Sequence, residues 1–238
     1  MNPSDSLVLS LDVATKEEVQ EILSALWAEI KWVRIGTMLA TSIGVPEAVR
    51  LAIRVFNKRV ILDTAFHDTP RIVAQSVAIA AAMGAEYIVV AGASGRACID
   101  AAAKRKGKSK ILVSTVLSSF DEQECVEIYG RGIGMMVERF ATMALANGAD
   151  GIVCSAMELA MLNTVQPYAK LVKMVTGVRP FGTTKTSGGR SGTPTEAIRR
   201  GAGFIAIDTP ILEAKDPAAM AQSILDEISE AQKSRGPK

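Results

Sequence analysis

The sequence predicts a single-domain α/β protein with a TIM (β/α)8 barrel covering residues 1–238. Three observations support this fold class. Short apolar segments recur eight times, amphipathic helical patterns alternate with them, and no composition shift or Pro/Ser-rich linker divides the chain. Alternating strands and helices favour parallel pairing through right-handed crossovers, and eight such units in roughly 250 residues are typical of a closed barrel.

The predicted strands are short runs rich in valine, isoleucine and leucine, bounded by polar or turn-forming residues. Most are apolar throughout and do not alternate, which fits a parallel sheet whose outer face is covered by helices. In chain order they cover residues 7–12, 32–36, 59–63, 87–91, 110–115, 151–155, 171–177 and 204–208.

Helical periodicity is clear in four of the segments between these strands. The first begins with Thr15 and Glu18, the spacing of a capping box, and carries its apolar residues on one face. Another starts at Pro70, because proline is favoured in the first turn of a helix. The four predicted helices cover residues 15–31, 70–83, 134–147 and 217–231.

A doubly wound parallel sheet is the alternative architecture. It would require a glycine-rich turn after the first strand, but LSLDVAT has Asp12 at that point. The barrel is therefore favoured. The glycine- and threonine-rich segment 181–194 is long and polar, so we predict an active-site loop there and not a domain linker.

Composition argues against several classes of protein. The formal net charge of +2 and the scattered basic residues argue against a nucleic-acid partner. No apolar run reaches about 18 residues, so neither a signal peptide nor a membrane span is predicted. The three cysteines have no metal-ligand spacing and are interpreted as reduced packing residues. We therefore expect a cytoplasmic protein without a metal or a cofactor.

Charged residues stand where several predicted strands end, and in a barrel these ends meet around one opening. Asp12, Arg34 and Asp63 follow neighbouring strands. Two carboxylates brought close together are costly unless a cation lies between them, so we predict an Asp12–Arg34–Asp63 network. Any one of these residues alone would more often be a helix cap. Other candidates at or near strand ends are His67, Asp68, Ser118, Ser119, Ser155, Arg179 and Asp208.

The order of several motifs resembles the orotidine 5′-phosphate decarboxylase family. They are LSLDVA, VRIG, ILDTAFHDTP, STVLSSFDEQE, DGIVCSAMELAML, TGVRPFG and GTPTEAIRRGAGFIAI. The resemblance spans nearly the whole chain. It implies a TIM barrel, a small-molecule pyrimidine substrate, and a homodimer with sites at the interface. It further implies that Asp68 reaches the neighbouring subunit's substrate and that Ser118 or Ser119 contacts the pyrimidine.

The sequence departs from the family pattern at both ends of the implied site. The family's third-strand motif is Asp-x-Lys-x-x-Asp, and its lysine delivers a proton to the carbanion, whereas this chain has Ala65. The second-strand lysine is replaced by Arg34, which is a poor acid. A family glutamine is replaced by Phe181, and a Gly-Arg pair after the eighth strand by Asp208 and Thr209.

These departures leave more than one functional hypothesis open. The preferred one is a lyase of the decarboxylase type acting on a pyrimidine-like or related heterocyclic acid. Its acid–base candidates are His67, Asp63 and Asp68. Phosphate recognition would be altered, because Asp208 repels a dianion unless Lys185 or Arg190 compensates. The alternatives are a non-catalytic relative that binds a nucleotide or small ligand, and a metal-assisted enzyme using the strand-end carboxylates.

Overall fold

The fold is an eight-stranded parallel barrel, which confirms the predicted class. The computed structural model describes residues 2–180 and 190–234. Each strand pairs with its neighbours in sequence, and β8 closes on β1 through pairs such as Leu7 with Ile205. The strands are β1 Leu7–Ser10, β2 Trp32–Ile35, β3 Arg59–Phe66, β4 Tyr87–Ala91, β5 Lys110–Ser114, β6 Gly151–Ser155, β7 Val172–Thr176 and β8 Phe204–Ile207.

Helices cover the outside of the barrel and include the four predicted from periodicity. In the described residues they are α1 Lys16–Ala25, α2 Thr37–Ser42, α3 Val45–Arg50, α4 Pro70–Met83, α5 Arg96–Arg105, α6 Glu122–Tyr129, α7 Ile133–Ala146, α8 Leu159–Thr164, α9 Gln166–Ala169, α10 Pro194–Arg199, α11 Thr209–Leu212 and α12 Pro217–Lys233. Short 3-10 turns lie at Pro3–Asp5 and Gly92–Ser94, and a π-helical turn at Leu51–Val55 extends α3. No described helix is both long enough and apolar enough to cross a lipid bilayer.

The first helix is shorter than its sequence pattern predicts. It has the expected capping box, in which the Glu18 amide donates to Thr15 Oγ1 and the Thr15 amide to Glu18 Oε2. It ends at Ala25 rather than near residue 31. The Lys58 ammonium group donates to the carbonyl oxygens of Trp27 and Ile30, each at 2.7 Å. A cation from a distant loop thus satisfies carbonyl groups that a longer helix would have bonded internally.

The amino end of the barrel is closed by aromatic side chains. Trp32, Tyr87 and Phe204 point inward from β2, β4 and β8 and meet edge to face, with ring centroids 5.0–5.6 Å apart. Arg59 covers the Trp32 ring from outside at 3.9 Å. Large rings fill this end of the interior, whereas smaller and polar side chains line the opposite end. The open space of the barrel therefore lies at the carboxyl ends of the strands.

Strand β3 is longer and less regular than predicted. It continues to Phe66, and its register with β4 shifts between Leu62 and Phe66. Within this irregular stretch Ala65 has a φ of 45°, in the left-handed region that residues with a side chain seldom adopt. The irregularity occurs where the chain passes the barrel mouth, so it changes the direction of the side chains that follow Asp63.

Candidate active site

A cavity of about 460 Å³ opens at the carboxyl ends of the strands. It brings together residues from seven of the eight strands or from the segments that follow them, as the barrel prediction requires. The lining residues are Ser10, Asp12, Arg34, Thr37, Met38, Asp63, Ala65, Ser114, Thr115, Val116, Leu117, Ser118, Ser119, Val153, Cys154, Thr176, Gly177, Arg179, Ala206 and Asp208.

One side of the cavity carries the predicted network of Asp12, Arg34 and Asp63. Arg34 Nε donates to Asp63 Oδ2 at 2.7 Å, and Nη1 lies 3.4 Å from Asp12 Oδ2. Nη1 is also 3.4 Å from Oγ of Ser10, the last residue of β1. Adjacent parallel strands place these groups at the same height, so the guanidinium group lies between the two carboxylates.

Burial makes the charges of this network interact strongly. It raises the pKa of Asp12; Arg34 opposes that rise, while Asp208 and Asp63 add to it. Burial also disfavours the charged form of Arg34, but Asp63 and Asp12 outweigh it and raise the pKa of the guanidinium group above its ordinary value. Arg34 is therefore a fixed cation and not a proton donor at any physiological pH. The raised pKa means that Asp12 holds a proton more readily than an ordinary aspartate.

A second ion pair lies at the end of the cavity formed by β7 and β8. Arg179 Nη1 donates to Asp208 Oδ1 at 3.1 Å and to the Val178 carbonyl oxygen at 3.1 Å. Asp208 directly follows β8, and its backbone precedes α11. The carboxylate predicted to weaken anion binding thus contacts a cavity arginine directly.

Between the Asp12–Arg34–Asp63 network and the Arg179–Asp208 pair, the described part of the cavity wall carries small hydroxyl side chains and no lysine. Ser118 and Ser119 line it from the segment after β5, and Thr176 from the end of β7. Ala65 lines the cavity beside Asp63; the resemblance noted in the sequence implies a lysine at this position in related chains. The methyl group of Ala65 can neither donate a proton nor carry a charge.

Several predicted site residues do not line this cavity. His67 and Asp68 are exposed between β3 and α4, and the Asp68 side chain accepts a hydrogen bond from the Thr69 amide. Thr209 opens α11 outside the lining. Phe181, Lys185 and most of the predicted loop 181–194 lie outside the residues that the structure describes.

Arg190 is also outside the lining, and its guanidinium group is bonded to the protein. Its Nε donates to Glu158 Oε1 at 3.1 Å, while Nη1 and Nη2 donate to the carbonyl oxygens of Phe120 and Val116. Only 12% of the Arg190 side chain and 6% of Glu158 are exposed. These contacts use all three guanidinium nitrogens, so the Arg190 side chain faces protein oxygens rather than the open cavity.

Comparison with known proteins identifies the family to which this barrel belongs. The model of the orotidine 5′-phosphate decarboxylase / HUMPS family matches residues 5–224, a range that includes the Asp12–Arg34–Asp63 network and the Arg179–Asp208 pair. The chain belongs to this family. The resemblance found in the sequence motifs is thereby confirmed. Within the described residues, no group of three or more histidine, cysteine, aspartate or glutamate side chains is arranged to hold a metal ion.

Relatives within the orotidine 5′-phosphate decarboxylase family match nearly the full chain. The orotidine 5′-phosphate decarboxylase of Anaeromyxobacter sp. (strain K) is 37% identical and covers 94% of this chain and 98% of its own. That of Methylobacterium sp. (strain 4-46) is 33% identical, with 97% and 98% covered. The crystal structure of the Lactobacillus acidophilus enzyme superposes with a TM-score of 0.80 at 24% identity, over 94% of this chain and 99% of that one. This structural match is evidence for the shared fold.

Sequence reasoning missed several residues of the site. Ser10 and Ser114 lie at the ends of strands that are predicted from the sequence to be mostly apolar, and both line the cavity. Thr115 also borders it, but its Oγ1 is buried and donates to the Val153 carbonyl oxygen at 2.7 Å. Period-two alternation at the carboxyl ends of the strands was the available signal. Gly36 was also missed: an added Cβ there would lie 2.8 Å from Asp12 Oδ1, so glycine leaves room for that carboxylate.

Proposed function

We propose that this protein is a lyase of the decarboxylase type that acts on a pyrimidine-like or related heterocyclic acid. The observation that carries the proposal is the placement of Arg34 between Asp12 and Asp63 on the cavity wall. A buried guanidinium group is a strong partner for a substrate carboxylate. The carboxylate of Asp63 beside it disfavours a second negative charge and favours its loss as neutral CO₂.

The reaction separates into bond cleavage and proton transfer. The bond between the ring carbon and the carboxylate breaks, CO₂ leaves, and the electron pair remains on the ring carbon, which then takes a proton. With Ala65 on the wall, the described lining of the cavity offers no lysine to supply this proton. Asp12, with its raised pKa, or a water molecule held by the network is the proton source that the described cavity favours.

We further propose that recognition at the far end of the ligand differs from phosphate recognition. Arg179 is paired with Asp208 there. A phosphate dianion approaching Arg179 would meet the Asp208 carboxylate at short range. A ligand that ends in a hydroxyl group or an amine, such as a nucleoside or free heterocycle, avoids this repulsion and can donate to Asp208.

The direct test is turnover by the purified protein. Orotidine 5′-phosphate, orotidine, orotate and a panel of related heterocyclic acids would be assayed for release of CO₂. We expect release from at least one acid, with Arg34→Gln lowering kcat/KM by about 10²-fold or more through loss of the carboxylate partner. Lack of turnover with the whole panel would remove the support for a decarboxylase.

The presence of Ala65 favours one second candidate, a non-catalytic relative that binds a nucleotide or another small ligand. A barrel can keep its binding pocket after losing the group that performs the chemistry. Calorimetry with nucleotides, nucleosides and the acids above separates the two. Binding without turnover supports the second candidate, whereas turnover of any panel member excludes it.

We also propose a homodimer with shared sites. The side chain of Asp68 is exposed and lies outside the cavity of its own subunit. In the family pattern the corresponding aspartate reaches the neighbouring subunit's substrate. Such a role requires a partner that brings Asp68 to its cavity, which an isolated barrel cannot provide.

A further inference from the structure

We infer that Arg190 and Glu158 form a positioning pair that sets the place of the Ser118–Ser119 wall of the cavity. The inference deepens the proposed function and rests on it, because it takes Ser118 and Ser119 as ligand contacts. Arg190 was predicted from the sequence to bind substrate. Its bonding pattern instead assigns it to the segment that carries the two serines.

The segment between β5 and α6 is held by Arg190 at three points. The Arg190 backbone amide donates to the Ser118 carbonyl oxygen at 2.9 Å. Its guanidinium group donates to the carbonyl oxygens of Phe120 at 2.8 Å and Val116 at 3.3 Å. One residue therefore binds every second carbonyl group across residues 116–120. Internally, the segment contributes the hydrogen bond from the Phe120 amide to the Leu117 carbonyl oxygen.

Glu158 fixes the guanidinium group from the other side. Its Oε1 accepts from Arg190 Nε at 3.1 Å and from Ser155 Oγ at 2.8 Å, and its Oε2 accepts from the Ser155 amide at 2.8 Å. Ser155 is the last residue of β6. The pair thus connects the segment that carries the two serines to the end of β6. Because both charges are buried, removing either partner would destabilise the protein.

A planar guanidinium fork is required for this arrangement. Lysine could retain a charge contact with Glu158, but a single ammonium group cannot reproduce the directed bonds from Nε, Nη1 and Nη2 to three separate oxygens. In the other network Asp12 follows β1, while Arg34 and Asp63 lie on β2 and β3; the Arg190–Glu158 pair acts on the segment after β5. Loosening the pair should therefore weaken ligand binding more than it changes the chemistry at Arg34.

The first test needs no ligand. Amide hydrogen exchange of residues 116–120 would be compared in wild-type protein and Arg190→Lys, with Arg199→Lys as the matched control. Arg199 lies on α10, where its Nε contacts Ser234 Oγ. We expect exchange in 116–120 to accelerate at least about tenfold in Arg190→Lys, the scale of one lost charged hydrogen bond. Unchanged exchange there, or an equal acceleration across the whole barrel, would overturn the inference.

The second test measures uridine affinity by calorimetry in a double-mutant cycle. Arg190→Lys should raise the Kd for uridine about tenfold in the wild-type background and hardly at all in a Ser118→Ala/Ser119→Ala background, because the pair acts through those serines. An equal effect in both backgrounds contradicts this. If turnover is found, KM should rise while kcat changes less than threefold; a fall in kcat alone would contradict the inference.

The two proposals fail in different ways. If the wild-type protein does not bind uridine, the proposed function loses support, and the exchange experiment still decides whether the pair holds residues 116–120. If Arg190→Lys does not fold, Glu158→Gln replaces it. Glutamine keeps an acceptor for Ser155 but removes the charge that orients Arg190. We therefore expect a smaller acceleration of exchange, confined to residues 116–120. Exchange as slow as in the wild type would contradict the inference.

Discussion

At the scale of single residues, Ala65 decides what chemistry the cavity can perform. It stands beside Asp63 on the wall, at the position where the family motif has lysine. Its φ of 45° is already a conformation that side-chain-bearing residues adopt at a cost. Because alanine has a Cβ, a longer side chain adds no new backbone strain at this position. Substitution can therefore test the missing proton donor directly.

We expect Ala65→Lys to increase decarboxylation of orotidine, which lacks the phosphate group, by about 10²-fold over Ala65→Met. A positioned general acid contributes about 10²–10⁴-fold, and methionine matches lysine in length without its ammonium group. The measurement is CO₂ release under saturating substrate. Equal rates for the two variants would mean that a proton donor is not what this cavity lacks.

The raised pKa of Asp12 predicts a pH-dependent effect on stability. Burial is its main cause, followed by the opposing Arg34 and the repulsive Asp208 and Asp63. Between the ordinary and the raised value the native state binds more protons than the unfolded chain. The free energy of unfolding therefore falls as pH rises through that window.

Asp12→Asn removes this loss because asparagine does not titrate. We expect the variant to match the wild type near pH 3 and to be more stable at pH 7, by no more than about 1 kcal/mol. Urea unfolding at several pH values measures the difference. Asp100→Asn, which changes an exposed pair with Lys104, is the control. A variant that is less stable than the wild type at pH 7 would contradict the argument.

The charged residues of the site were more predictable from the sequence than its uncharged ones. Asp12, Arg34 and Asp63 were found because charges at the ends of adjacent strands need one another. Glu158 was not found, since it follows β6 and its partner Arg190 is 32 residues away. Sequence spacing carries no signal for such a pair until the barrel places β6 beside the segment after β7.

At the scale of elements, the glycine that begins β6 allows two strands to approach it closely. A Cβ at Gly151 would overlap the Val172 carbonyl oxygen and lie 2.7 Å from Leu112 Cδ2. Leu112 belongs to β5 and Val172 to β7, the two strands that pair with β6. The close contact is with backbone on one side, so it cannot be relieved by a side-chain rotation alone.

Gly151→Ala should therefore lower the free energy of unfolding by about 1–3 kcal/mol, the range for overpacking in a well-packed core. Gly134→Ala is the matched control, because a Cβ at that α7 position meets nothing within 4 Å. Alanine is favoured over glycine in a helix by about 0.5–1 kcal/mol, so the control should be neutral or stabilised. Thermal and urea unfolding of both variants give the comparison, and equal stabilities would contradict it.

Element types were predictable, whereas their ends depended on distant groups. All eight predicted strands are present because their apolar runs have the length and bounding residues of buried parallel strands. The end of α1 was misplaced because Lys58, from the loop before β3, bonds the carbonyl groups at Trp27 and Ile30. Periodicity reports which face of a helix is buried, and it does not report which distant cation ends the helix.

At the scale of the whole molecule, barrel closure converts separate motifs into one site. The pairing of β8 with β1 brings Asp208 to the same opening as Asp12, although they are far apart in sequence, and Asp208 contributes to the raised pKa of Asp12. The predicted barrel implies the shared opening, whereas the effect of Asp208 on the pKa of Asp12 is seen only in the structure. The quaternary arrangement does not follow from a single chain, so the placement of Asp68 remains a prediction for the assembly.

A subunit-mixing experiment tests the proposed dimer and its shared sites together. If Asp68 serves the partner's cavity, Asp68→Ala and Arg34→Ala each inactivate every site of their own homodimers. In a heterodimer one site combines an intact Arg34 with an intact Asp68 from the other subunit, while the second site lacks both. Random reassortment of equal amounts should then restore about a quarter of the wild-type activity, because half of the dimers each regain one site of two.

The subunits are mixed and reassociated before the measurement. The measured quantity is turnover of whichever acid of the panel the wild-type protein decarboxylates, or the number of ligand sites counted by calorimetry. Sedimentation should show a dimer at micromolar concentration for the wild type and both variants. A monomer, or a mixed sample with no more activity than its separate parts, would place Asp68 outside the site.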